Sequence, residues 1–144
     1  MNLSKAQRAS LHGKYGGHCA YCGIPLTAKW QADHIEPVQR IGMWVSNGRR
    51  MKHVPTGEMN YPERDHIGNL APSCVPCNND KADSSVDSWR RRLEESHARL
   101  LRNYSTYKHA LRFGLIQQSK AKVVFFFETY GSRRPLPKEL RNEQ

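Results

Sequence analysis

The stretch NLAPSCVPCNNDK, residues 69–81, contains Cys74 and Cys77 in a C-x-x-C spacing. A matching pair, Cys19 and Cys22, lies upstream in the stretch HCAYCG. One C-x-x-C turn can direct two thiolates at a single metal ion, so two turns complete a tetrahedral four-sulfur shell. Two redox pairs or four unrelated core thiols are the alternatives, but neither explains two identical spacings with no cysteine left over. The sequence therefore predicts one structural Zn²⁺ ion per chain.

The length and composition of the chain indicate what such a zinc site would do. A chain of 144 residues, of which 38% are hydrophobic, suits one compact domain with a modest core. Zinc binding at such a site contributes about 10 kcal/mol to folding, which would offset the small core. A four-sulfur shell leaves no open coordination position for a substrate. The site is therefore expected to hold the fold together and not to catalyse a reaction.

Charge and hydropathy predict a protein that binds a polyanion in the cytoplasm. Lys and Arg number 23 against 13 Asp and Glu, which gives a formal net charge of +10. This excess suits a nucleic-acid partner, and a solvated basic surface is the alternative. No apolar run reaches the roughly 18 residues of a membrane span, and the N-terminal stretch lacks the apolar segment of a secretory signal. We therefore expect a soluble, cytoplasmic protein whose cysteines stay reduced.

The tripeptide Asp-His-Ile occurs twice between the cysteine pairs, at residues 33–35 and at residues 65–67. Asn69 follows the second tripeptide, and Asn78 and Lys81 follow the second cysteine pair. A His side chain near neutrality can accept a proton from water, and Asp or Asn oxygens can ligate a hard divalent cation. A base for water and a cation for developing negative charge are what metal-assisted hydrolysis requires.

The order C-x-x-C … DHI-x-P … NL-x-x-x-C-x-x-C-N-x-x-K, over roughly residues 15–83, resembles the zinc-stapled branch of the HNH nucleases. This resemblance implies an α+β fold with a small ββα-metal core and a metal-dependent DNA endonuclease activity. It implies that His34 activates water and that Asn69 holds the loop of His34 by hydrogen bonds. It also implies that Asp33 and Asn78 ligate a catalytic Mg²⁺ or Mn²⁺ ion.

The second tripeptide receives a supporting role in this interpretation. Asp65 and His66 lie just before Asn69, where the chain enters the second strand of the core. Asp65 is expected to form a turn or to orient the hairpin. His66 is the alternative general base; otherwise it contacts phosphate or is merely exposed.

Basic residues between His34 and Asn69 are the predicted DNA contacts. Residues 38–64 have no clear period but contain an Asn-Gly turn signal at 47–48, which predicts a loop or a flexible hairpin. Their position beside the candidate site favours contact with the DNA backbone over simple solvation, which is the alternative. The residues predicted to contact DNA are Arg40, Arg49, Arg50, Lys52 and Arg64 of this segment and, outside it, Lys81. Within the same segment, Trp44 and His53 either stack on a base or pin the loop to the core.

The sequence divides into three parts. Residues 1–18 are predicted to form an N-terminal helix, and residues 19–83 the zinc-stapled core with its basic loop. Residues 84–144 contain apolar residues on one face at spacings of three, four and seven, which predicts a long amphipathic helix ending at Gly114. The segment VVFFF that follows suits a strand or a buried helical turn, and a basic tail ends the chain.

The resemblance also implies partners. Double-stranded DNA is the expected substrate, and the protein would act as a monomer or a homodimer. Small free-standing members of the family often belong to phages, or to restriction and mobile-element systems. Phage terminase and other DNA-processing proteins are therefore candidate partners, and the host cytoplasm is the candidate location. The alternatives to a nuclease are a catalytically inactive zinc-stapled nucleic-acid-binding module and a module that docks a partner through the long helix.

Overall fold

The structure, a computed structural model, describes residues 2–119 and 121–131. These residues form a small α+β fold with six α-helices and two two-stranded antiparallel sheets, which confirms the predicted class. None of the described helices combines the length and apolar character that crossing a bilayer requires. The elements in chain order are α1 (Lys5–Gly13), β1 (Gln31–His34), β2 (Arg40–Ser46), β3 (Met51–Met59), β4 (Leu70–Ser73), α2 (Val75–Lys81), α3 (Val86–Glu94), α4 (Ser96–Asn103), α5 (Ser105–Arg112) and α6 (Phe126–Thr129).

The N-terminal helix α1 begins with a capping box, which confirms a helix at this end of the chain. The hydroxyl of Ser4 accepts from the backbone N–H of Gln7, and the Gln7 side chain accepts from the N–H of Ser4. These two bonds satisfy donors that the first helical turn leaves without partners. Leu11 is buried in a small cluster with Trp30 and Leu70, so α1 packs against the start of β4.

Strands β1 and β4 form the central sheet, although the whole β2–β3 hairpin lies between them in the chain. Asp33 lies opposite Ala71, and His34 lies opposite Leu70. Every residue of β4 is buried, and β4 leads directly into Cys74 and helix α2. His34 and the second cysteine pair are therefore attached to opposite ends of one short, rigid sheet.

Strands β2 and β3 form a separate antiparallel hairpin. Of the two predictions for residues 38–64, a loop or a hairpin, the structure shows the hairpin. The side chain of Asn47 accepts hydrogen bonds from the backbone N–H groups of Arg49 and Arg50 and so closes the turn. Gly48 has a φ of +83°, a conformation that glycine adopts without strain. Most residues of both strands are exposed, so neither face of the hairpin is covered by the core.

The prediction of one long C-terminal helix is wrong. The segment forms three helices, α3, α4 and α5, and Tyr104 separates the last two with an extended backbone conformation, φ −125° and ψ 113°. Helix α5 then packs against α4, where the ring nitrogen Nδ1 of His97 hydrogen-bonds the hydroxyl of Tyr107 at 2.7 Å. The spacing of apolar residues indicates which side chains share a face. Because this spacing can continue through a break in the backbone, it did not reveal that the segment contains separate helices.

The segment after α5 returns to the first cysteine pair and closes the main core. The backbone N–H groups of Phe126 and Phe127 donate to the carbonyls of Tyr21 and Ala20, at 2.9 and 2.8 Å. Phe125 is buried and stacks on Trp89 of α3 with a centroid separation of 5.0 Å. The short helix α6 begins directly after Phe125, includes only the last two residues of VVFFF and has no buried residue, so it is not the buried helical turn of the prediction. The predicted basic tail lies outside the described residues.

Candidate functional site

The four cysteines form a cluster that could hold a metal ion such as zinc. Their Sγ atoms all lie within 4.8 Å of one another. The Sγ atoms of Cys22 and Cys74 are 3.7 Å apart, close to the edge of about 3.8 Å of a tetrahedron with zinc–sulfur bonds of about 2.3 Å. Among residues 2–119 and 121–131, no other group of three or more His, Cys, Asp and Glu side chains brings its ligand atoms this close together.

Short loops on the central sheet bring the two cysteine pairs together. Gly23, at a φ of +75°, turns the chain after the first pair and donates its N–H to the carbonyl of Cys19. The N–H of Ala20 donates to the carbonyl of Pro72 at 2.8 Å, which ties this turn to β4. The N–H of Cys74 donates to Sγ of Cys19 at 3.3 Å, a contact that stabilises a thiolate.

Hydrogen bonds between the thiols shift the pKa values of the cysteines in opposite directions. Hydrogen bonds from Cys22 and Cys77 lower the pKa of Cys19. The same bonds, in which Cys22 and Cys77 are donors, raise the pKa of Cys22 to about 12 and raise that of Cys77 further. A divalent cation bound by these sulfurs would displace thiol protons. The donor set and its charge fit zinc.

At the other end of the sheet, the imidazole of His34 is held by Asp65. The Nε2 atom of His34 lies 2.8 Å from Oδ1 of Asp65, and both side chains are about 15% exposed. A carboxylate oxygen can only accept, so the Nε2–H group of His34 donates. The two Asp-His-Ile tripeptides thus meet, the first supplying an imidazole and the second a carboxylate. His66, in contrast, is exposed.

Asn69 ties together the two loops on either side of this pair. Its Nδ2 donates to the carbonyls of Glu36 and Arg64, at 2.8 and 2.9 Å, and its Oδ1 accepts from the N–H of Glu36 at 3.0 Å. Its backbone carbonyl also accepts from the N–H of Ile35. One side chain therefore fixes the chain that follows His34 and the chain that precedes Asp65.

Asp33 points into the interior, where it already has two partners. Its Oδ2 accepts from the hydroxyl of Tyr21 and lies 3.0 Å from Nζ of Lys81. Burial, followed by the charge of Asp33, raises the pKa of Tyr21, so this hydroxyl keeps its proton. Lys81 is fully buried and also donates to the carbonyl of His34 at 2.7 Å. The predicted contact of Lys81 with DNA is therefore wrong, because its ammonium group is enclosed by these partners.

Asn78, the other predicted ligand of a catalytic metal, lies on α2. Its Nδ2 donates to Oε1 of Gln31 at 2.7 Å, and it lines a cavity of about 540 Å³ beside Trp30. Carboxylate and amide oxygens such as those of Asp33 and Asn78 are the donor types that a hard cation takes, but the two side chains line different cavities. A cation at Asp33 would share this carboxylate with the Lys81 ammonium or displace it.

A second cavity, of about 260 Å³, opens beside the candidate base. His34, Asp33, Arg40 and Asp83 are among the residues that line it. Arg40 is exposed and cationic, so an anion could enter this cavity within reach of an imidazole. Asn78 is not part of this lining, so the structure places Asn78 in a different cavity from Asp33 and His34.

The remaining basic residues that were predicted to bind DNA fall into two groups. Arg49, Arg50 and Lys52 are exposed at and beside the turn of the β2–β3 hairpin. Arg64 is a loop anchor as well as a cation: its Nη1 donates to the carbonyl of Pro37 at 3.1 Å, and its guanidinium lies 4.0 Å from the ring centre of Tyr61. The structure thus leaves the hairpin turn as the most accessible part of this basic set.

Sequence reasoning missed two residues that support the candidate site. Asp65 does close a turn, through its N–H to the carbonyl of Pro62, but its carboxylate also reaches the imidazole of His34. The repeat of the Asp-His-Ile tripeptide is the signal that could have suggested this pairing. Nothing in the sequence marks Tyr21 as a partner of Asp33, because only the fold brings the first cysteine turn against β1.

Comparisons of this chain with protein-family models, with curated proteins and with solved structures find no match.

Proposed function

We propose that this protein is a metal-dependent DNA endonuclease of the HNH type. The observation that carries the proposal is the cavity shared by His34 and Arg40, in which an anchored imidazole lies beside an exposed cation. A phosphodiester needs both groups, since its negative charge requires a cation and its hydrolysis requires a base for water. The net charge of +10 supports nucleic acid as the source of that phosphodiester.

In the proposed reaction, His34 accepts a proton from a water molecule whose oxygen bonds to the phosphorus atom. The bond between phosphorus and the 3′-oxygen breaks, and that oxygen takes a proton from solvent, which leaves 5′-phosphate and 3′-hydroxyl ends. Arg40 binds the phosphate in the cavity, and Asn69 keeps the loop of His34 in place. Asp33 and Asn78 would hold a Mg²⁺ or Mn²⁺ ion, which would supply positive charge for the phosphate oxygens.

The hairpin and the cysteine cluster serve this reaction without taking part in it. The exposed cations Arg49, Arg50 and Lys52 would contact the DNA backbone and orient the duplex over the cavity. A zinc ion held by the four cysteines would fix the sheet end opposite His34. In this proposal the β1–β4 sheet positions the catalytic residues, and the β2–β3 hairpin binds the DNA.

A supercoiled-plasmid cleavage assay at low salt tests the proposal. Wild-type protein should nick or linearise the plasmid with added Mg²⁺ or Mn²⁺, and His34→Ala should abolish cleavage while zinc content and DNA affinity persist. His66→Ala is the matched control, because it removes the exposed histidine of the second tripeptide and should keep activity. Since a chelator can also strip structural zinc, zinc content must be measured in every EDTA arm.

Each outcome of this assay decides one assignment. Cleavage that survives His34→Ala but not His66→Ala would move the base to His66. Cleavage that survives both substitutions would contradict the HNH assignment. Absence of cleavage by wild-type protein with every divalent metal would contradict the nuclease itself.

One contact favours a second candidate function, a zinc-stapled DNA-binding module without catalysis. Lys81 already neutralises Asp33 at 3.0 Å, which is what a protein without a catalytic cation would need at a buried carboxylate. Such a module would bind DNA with strong salt dependence and would be indifferent to Mg²⁺. Salt-dependent binding without cleavage in the plasmid assay identifies this alternative.

A further inference from the structure

We infer that Asp65 is a positioning residue for His34, which it holds in the Nε2–H tautomer so that Nδ1 is the atom that accepts the proton. This inference rests on the proposed function for its catalytic meaning, but the tautomer itself can be measured without any activity. In this inference the second Asp-His-Ile tripeptide supplies the carboxylate, of Asp65, that orients the imidazole of His34 in the first.

The contact is between two well-fixed side chains. Oδ1 of Asp65 lies 2.8 Å from Nε2 of His34, and both side chains are largely shielded from water. The backbone of Asp65 is held by its N–H bond to Pro62, and the preceding carbonyl, of Arg64, accepts from Asn69. His34 is fixed on its own side by strand pairing and by the bond from Lys81 to its carbonyl.

The chemistry of the pair decides which nitrogen can act as a base. A neutral imidazole has one N–H donor and one nitrogen with a free lone pair. A carboxylate is an acceptor only, so the nitrogen facing Asp65 must carry the hydrogen. The lone pair of His34 is therefore on Nδ1, on the side of the ring that does not face Asp65. Without the carboxylate, the ring could rotate and exchange tautomers, and fewer molecules would present a base to water.

The first experiment observes the ring directly by ¹⁵N–¹H NMR of the zinc-loaded protein, at a pH where histidines are neutral. His34→Gln assigns the His34 signals by their disappearance. Wild-type protein should show a proton on Nε2 of His34 that exchanges slowly enough to be detected, and an unprotonated Nδ1. Asp65→Ala should lose the detectable Nε2 proton, and Asp65→Asn should shift part of the population to the Nδ1–H tautomer, because its amide nitrogen can donate to Nε2.

The second experiment measures cleavage kinetics of the same variants. Removing the partner that orients a metal-ligating histidine typically costs about 10- to 100-fold in activity, and we expect Asp65→Ala to lower kcat by a factor of this order with little change in KM. Asp65→Asn should also lower kcat, because an amide that donates to Nε2 leaves the hydrogen on Nδ1. Asp87→Ala is the matched control, because its side chain is 92% exposed and it should leave both kcat and the His34 signals unchanged.

The two experiments separate failure of this inference from failure of the proposed function. A wild-type protein that cuts DNA, together with an Asp65→Ala variant of full kcat, would overturn the positioning role and leave the nuclease standing. A proton on Nδ1 of His34 in wild-type protein would overturn the tautomer. A wild-type protein that shows the Nε2 proton but never cuts DNA would support the pairing while refuting the nuclease. If Asp65→Ala fails to fold, the Asn variant and the wild-type spectrum still decide.

Discussion

The two antiparallel strand pairs of this protein have the same kind of pairing and opposite surroundings. The β1–β4 pair is enclosed: every residue of β4 is buried, and Asp33 on β1 is only 7% exposed. The β2–β3 pair stands away from the core, with Trp44 66% exposed and Met51 59% exposed. One chain therefore contains a fixed sheet, and a long exposed hairpin inserted between the two strands of that sheet.

This difference indicates which tasks each pair can perform. The buried strand β4 and the buried Asp33 hold β1 in place, so an imidazole at one end of this sheet has a fixed position and a cysteine cluster can be held at the other end. The hairpin lacks that restriction, and its exposed cations and aromatic ring remain available to a partner. The cost of closing the loop grows slowly with its length, so an insertion of this size is compatible with a stable sheet.

The largest expected effect is at the cysteine cluster. Cys74→Ala removes one of four sulfur ligands at the end of β4, so zinc binding and about 10 kcal/mol of linked folding free energy should be lost. The variant should contain no zinc and should lack the dispersed NMR spectrum of a folded domain. Wild-type protein stripped of zinc should refold when zinc returns, whereas this variant should not. A folded, zinc-free Cys74→Ala would show that the enclosed sheet is stable without the metal.

The next effect is expected at the buried ion pair. Lys81→Met would leave the carboxylate of Asp33 enclosed without its cation, and breaking a buried pair in this way costs about 3–5 kcal/mol. Chemical denaturation of the zinc-loaded protein measures this loss. The double variant Lys81→Met, Asp33→Asn should be less destabilised than the sum of the two single variants, because it leaves no uncompensated charge. Strict additivity would contradict a direct interaction between these two side chains.

The same comparison explains how far the sequence could predict the fold. The cysteine spacings, the Ser4 cap and the Asn47-Gly48 turn are local signals, and the structure contains the cluster, the helix and the hairpin that they indicate. Lys81 was misassigned because a Lys side chain in a polar stretch gives no sign that the fold will enclose it. Its burial depends on Tyr21 and Asp33, which are distant in sequence and meet only after the sheet forms.

Backbone breaks and long-range partners account for the other differences. The helical period continues through Tyr104 because the side chains of α4 and α5 both have an apolar face, whereas the break depends on backbone dihedrals that the period does not record. The contact of Asp65 with His34 joins two loops, so no local pattern reports it. The residue types of the candidate site could be read from the sequence, but their hydrogen-bond partners could not.

The exposed hairpin should respond in binding and not in stability. Arg49→Ala with Arg50→Ala should weaken DNA binding, and the slope of log K against log salt should fall by about 0.9 for each lost phosphate contact. The free energy of unfolding should change by less than about 0.5 kcal/mol, as is usual for exposed positions. Salt titrations of DNA affinity measure the slope, and chemical denaturation measures stability.

The charge-matched control for the hairpin is Arg102→Ala with Arg112→Ala, which removes two exposed cations from α4 and α5. An equal loss of salt slope in the control would show that DNA responds to net charge and not to the hairpin. A large decrease in the free energy of unfolding of the hairpin variant would show that the β2–β3 hairpin contributes to the stability of the fold. The proposed difference between the two strand pairs would then be wrong.

The smallest effect is expected at the ion pair between Glu128 of helix α6 and Arg90 of helix α3. Both oxygens of Glu128 accept hydrogen bonds from Arg90, and these bonds lower the pKa of Glu128 below its ordinary value of 4.5, while burial opposes the shift. Because the folded pKa is below the unfolded one, the ionised carboxylate stabilises the fold. This contribution is fully present above pH 4.5 and disappears as the pH falls through the lowered folded pKa.

Glu128→Gln should therefore reduce the free energy of unfolding by less than about 1 kcal/mol at neutral pH, as is usual for an ion pair near the surface. The difference from wild type should shrink towards zero in acid, because the wild-type carboxylate also becomes neutral. Acid weakens zinc binding too, but both proteins have the same cysteines, so their difference at each pH isolates Glu128. A difference in the free energy of unfolding that stays constant from neutral to acid pH would contradict this prediction. It would mean that the charge of Glu128 does not stabilise the fold.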